Sequence, residues 1–87
     1  MSHIPPMPST QLCESLAGLM ARAGFETFEQ AAEYCEQRAV KSAAKGEHAF
    51  AHDWQRRADA ARQIISRTKA LINAMLPASE LLHQEAA

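Results

Sequence analysis

The chain has 87 residues, a net charge of −1 and two cysteines. That length holds one domain of marginal stability, because a chain this short buries only about 60% of its unfolded surface. Two cysteines exclude a disulfide-rich scaffold, and no apolar run approaches the ~20 residues of a membrane-spanning helix.

Residues 1–8 read as an irregular arm. Pro5, Pro6 and Pro8 each remove a backbone donor and disfavour helix in the residue before them. The segment has neither the charged start nor the apolar stretch of a secretory leader, so the expected localisation is cytoplasmic, and the Ala-rich, Gly-poor style suits a bacterium. Both cysteines are expected as free, buried thiols.

A single helical domain is expected over residues 9–76. A first helix, about 10–23, begins where the Ser9 or Thr10 hydroxyl can cap exposed amides. Leu12, Leu16, Leu19 and Met20 recur on one face, bordered by Cys13. Gly24 ends the helix as a left-handed residue, with Phe25 folding back on the last turn.

A second helix, about 28–45, starts at a capping box in which Thr27 supplies the hydroxyl and Gln30 the returning amide. Its acids come early and its cations late, as the helix dipole favours. Its inward stripe is Phe28, Ala32, Cys35, Ala39 and Ser42, mostly small side chains that ask for a bulky partner.

Gly46 supplies a tight turn. The third helix, about 47–76, contains no Gly or Pro before Pro77. Ala51, Trp54, Ala58, Ala61, Ile65, Thr68, Ile72 and Met75 alternate spacings of three and four, a heptad seam. Phe50, Ile64 and Leu71 widen it. Trp54 and Phe50 are expected to lie buried over Ala39 and Ser42. A short turn and tail complete residues 77–87.

The expected fold is therefore all-α: an antiparallel hairpin of the second and third helices, with the first packed across its open end. At 1.5 Å per residue the second helix is about 27 Å long and the third about 45 Å. The second can cover the third only to about Ile65. Leu71, Ile72, Met75 and Leu76 then project beyond it and need cover. Leu12, Leu16 and Met20 of the first helix, a second copy, or another protein could supply it. These seven residues are the candidate partner-binding set.

Charge is uneven along the chain. Residues 1–36 hold five glutamates against Arg22 alone, whereas residues 37–76 hold eight cations against Glu47, Asp53 and Asp59. Arg38, Lys41 and Lys45 share one helix face, and Arg56 and Arg57 follow on the third helix. These five are candidates for contact with phosphates or an acidic partner. No helix-turn-helix pattern and no aromatic stack interleaved with the cations accompanies them.

His48 and His52, four apart, share a face and could grip a divalent ion weakly, but a structural zinc needs four ligands. His3 and His83 are in the termini. Glu29, Glu33 and Glu36 form a stripe without the Glu-x-x-His partners of a di-metal site. No nucleophile–base pair is evident, so no catalytic residue, cofactor or membrane attachment is expected. The expected function is a non-enzymatic protein–protein interaction module, an adaptor, chaperone-like subunit or regulator, that binds a partner protein or pairs as a homodimer through an apolar helical face. The alternative is a small nucleic-acid-associated regulator that uses the basic middle.

Overall fold

The computed structural model describes residues 4–75. Three helices form within them, α1 (Thr10–Ala23), α2 (Phe28–Ala44) and α3 (His48–Met75), and no strand is present among the described residues. Leu76, His3, His83 and the turn expected after Pro77 lie outside them.

Local signals set the helix ends. The Ser9 hydroxyl accepts from the Leu12 amide at 3.3 Å, capping α1. Gly24 takes φ 73°, and the Phe25 amide donates to the Met20 carbonyl at 3.0 Å. At α2 the capping box closes both ways: Gln30 N–H donates to Thr27 Oγ1, and Thr27 N–H to Gln30 Oε1, each at 3.2 Å. The other end of α2 is a Schellman turn. Gly46 has φ 79°, its amide reaches the Ala43 carbonyl at 3.0 Å, and the Glu47 amide reaches Ser42 at 2.9 Å. A side chain at Gly46 would strain that left-handed backbone, so the reversal between α2 and α3 depends on glycine.

Helices α2 and α3 form the hairpin, and their contact is the most extensive in the molecule. Residues equally distant in sequence from Gly46 face one another. Ala31 and Ala61 meet in the core, and Arg38 meets Trp54. Alanines at these facing positions let the two backbones approach closely. They leave a shallow groove along the seam, and α1 fills it. Leu16 is fully buried among Ala31, Ala32, Ala60, Ala61 and Ile64, ringed by Leu12, Cys13, Met20, Phe25 and Phe28. Leu19 sits on Cys35 and Ala58, next to Phe25, Tyr34 and Trp54.

The small-residue stripe is covered from two sides. Leu16 and Leu19 of α1 pack with Ala31, Ala32 and Cys35. Trp54 packs against Leu19, Cys35 and Ala58 and lines a groove with Ser42 and Phe50, although neither ring is enclosed as expected. Phe50 is 60% exposed, and Trp54 is only partly buried. The buried face of α3 also departs from a simple seam. Ala60 and Ile64 join Ala58 and Ala61, because α3 packs against two helices at once and its apolar stripe widens towards α1.

Polar contacts hold α1 and the arm in place. Arg57 Nε donates to Ser15 Oγ at 3.0 Å. Residues 4–9 are irregular, yet they are tied along α3: Arg67 donates to the Pro5 carbonyl at 3.1 Å, and the Gln63 amide donates to the Pro6 carbonyl. Arg62 and Glu36 pair at 2.9 Å across the hairpin. That hydrogen bond holds the Glu36 carboxyl below its usual 4.5. Both side chains are largely exposed, so the pair contributes little to stability.

Candidate interaction surfaces

Two surfaces stand out, one at each end of the hairpin. The first is the far end of α3. The start of α2 lies beside Ile65, Thr68 and Lys69, so α2 covers α3 about as far as its length allows. Beyond that point Leu71 is half-buried, while Ile72 is 53% and Met75 80% exposed. Helix α1 does not cover them, because its leucines are spent on the middle of the hairpin. This places the seven candidate partner-binding residues differently from one another. Leu71, Ile72 and Met75 share the projecting end. Leu12 and Met20 are partly buried against the core. Leu16 has no accessible surface, and its place as a docking anchor is corrected to that of a core residue. Leu76 lies outside the described residues.

The second surface is a groove of about 390 Å³ at the closed end of the hairpin. Arg38, Lys41, Ser42 and Lys45 line it from α2, Phe50 and Trp54 from α3, and Glu47 from the turn. The helical spacing of the cations puts them on one face of α2, and the Gly46 register sets Trp54 opposite. An aromatic row leads into the groove. Phe25 and Tyr34 lie 5.4 Å apart between ring centroids, and Tyr34 meets Trp54 edge-on at 5.7 Å. The guanidinium of Arg38 lies 5.4 Å from the Trp54 centroid and that of Arg57 4.8 Å. Trp54 is therefore in cation–π range of two arginines from different helices.

No aromatic is interleaved with the α2 cations along the sequence; the hairpin brings Trp54 and Phe50 beside them from α3. Two signals pointed to the arrangement: Trp54 and Arg57 are three apart on α3, and Arg38 is as far before Gly46 as Trp54 is after it. Four of the five cationic candidates, Arg38, Lys41, Lys45 and Arg57, gather around Trp54. Arg56 turns away, lining neighbouring hollows with Leu12, Asp53 and Asp59. Among the described residues the ion pair present is Arg62–Glu36, and no carboxylate bridges Arg38, Lys41 or Lys45.

His48 and His52 are both exposed. Among the described residues no cluster of three or more His, Cys, Asp or Glu side chains could hold a metal ion. Cys35 is buried and Cys13 half-buried, both free. Burial pushes the Cys35 thiol above its ordinary 9.0; the nearby charge of Arg57 pulls it down and that of Glu36 adds to the rise. No helix among the described residues is long and apolar enough to cross a membrane. Comparison with protein-family models, with curated proteins and with solved structures finds no match.

Proposed function

We propose that this chain is a small non-enzymatic protein–protein interaction module, an adaptor or regulatory subunit, and that the apolar end of α3 pairs with a second copy. The observation that carries this reading is the exposure of Ile72 and Met75 beyond the reach of both neighbouring helices. An apolar stripe on a projecting helix is an unfilled half-interface, since burying it against water-free surface gives roughly 25 cal/mol per Å². A second copy is the occupant that fits best. A stripe on a straight helix is self-complementary about a two-fold axis, and self-association is a common way for a small domain to add buried surface.

Cross-linking tests the pairing. An Ile72→Cys variant should form a covalent dimer under mild oxidation, whereas the parent chain, whose cysteines lie elsewhere, should not. Equal behaviour of the two chains would count against it.

A further inference from the structure

The groove at the closed end of the hairpin has a chemistry of its own. Its wall on α2 carries three cations with no carboxylate partner among the described residues, against the single acid Glu47. Arg38 and Lys45 are seven residues apart, about 10 Å along the helix axis. Phe50 lies among them with 60% of its surface open. Cations beside an unburied aromatic ring match a ligand that brings negative charge and an apolar group together.

We propose that this groove binds an acidic, amphipathic peptide segment of a partner protein. Carboxylates spaced over two helical turns meet Arg38, Lys41 and Lys45, and one apolar side chain packs on Phe50. The cation–π contacts of Arg38 and Arg57 and the edge of Tyr34 brace Trp54 as the groove's rigid floor. This site lies at the opposite end of the hairpin from Ile72, so it stands or falls independently of the pairing through α3.

The same contacts favour a peptide over single-stranded nucleic acid. Strand binders stack successive bases on successive open rings. Here two guanidiniums and a tyrosine engage Trp54, and Phe50 is the one ring of the groove that is largely open.

Trp54 is the only tryptophan in the chain, so its emission reports on the groove directly. The probe is a short capped peptide with glutamates at helical spacing around a central leucine, titrated at ~50 mM salt, where exposed charges are weakly screened. Two controls are the same peptide with glutamine for every glutamate, and an oligothymidylate of similar length. The expected result is a saturable change in Trp54 emission with the acidic peptide, and little with either control. Lys41→Glu and Phe50→Ser should each weaken binding by about tenfold, with the helical circular dichroism unchanged. Lys45→Glu should repeat the Lys41 result from a second exposed position. No saturable response, an equal response to the glutamine peptide, or unchanged affinity in both lysine variants would overturn the proposal. Tighter binding of the oligothymidylate would overturn it too and assign the groove to nucleic acid.

Discussion

Arg57 of α3 holds Trp54 of its own helix and Ser15 of α1 through one side chain. Its guanidinium lies 4.8 Å from the centroid of Trp54, and its Nε donates to Ser15 Oγ of α1 at 3.0 Å. The residue thus braces the floor of the basic groove while fastening α1 to the hairpin. Arg57→Ala should remove a hydrogen bond worth about 1 kcal/mol and a cation–π contact worth about 0.5–1 kcal/mol. Thermal melts should show that loss. Arg57→Lys should recover part of it, because a lysine keeps the charge and lacks the planar Nε–H.

Leu16 is the largest side chain wholly enclosed by the core. Leu16→Ala opens a cavity between three helices and should cost about 2–5 kcal/mol. In a domain of this size that lowers the melting temperature by more than about 10 °C. A melt within a few degrees of the parent would mean that α1 is not the lid of the hairpin.

Trp54→Ala should be milder than a full core truncation. The indole is only partly buried, so about 2–3 kcal/mol is expected, below the usual range for an enclosed aromatic. Denaturant unfolding followed by far-ultraviolet circular dichroism measures it without needing tryptophan emission.

The two thiols should react differently. Cys13 is half-buried and should modify in the native state, whereas Cys35 should react only as the chain unfolds. Cys35 also has a pH signature. Its folded-state pKa is raised above 9.0, so its neutral thiol favours the fold below that pH. This contribution is lost as pH rises above 9.0 and through the raised value. Stability should therefore fall on the alkaline side, and Cys35→Ala should flatten that fall. A parent and variant with identical alkaline melts would contradict the burial of this thiol.

Much of the fold was legible because its signals are local. The Ser9 cap, the Thr27–Gln30 box and the glycines at 24 and 46 each act within a few residues, and the helix ends follow them closely. Packing was harder to read. The alanines at 31, 32, 58, 60 and 61 announce close approach without naming what approaches; Leu16 and Leu19 of α1 take that place, and Phe50 and Trp54 stay nearer the surface than expected. A heptad reading also assumes one partner helix, whereas α3 has two, which brings Ala60 and Ile64 inside. At the candidate sites, the projecting end of α3 followed from counting helix lengths. The basic groove required the register about Gly46, which pairs Arg38 with Trp54 across the hairpin.

If the end of α3 is an interface and not unfinished core, the oligomeric state must depend on Ile72. Light scattering on size-separated protein, for the parent and for Ile72→Glu, tests it most directly. The parent should show a dimer mass, and the variant a monomer with unchanged helical circular dichroism. A parent that stays monomeric at high concentration, or an Ile72→Glu chain that unfolds, would contradict it.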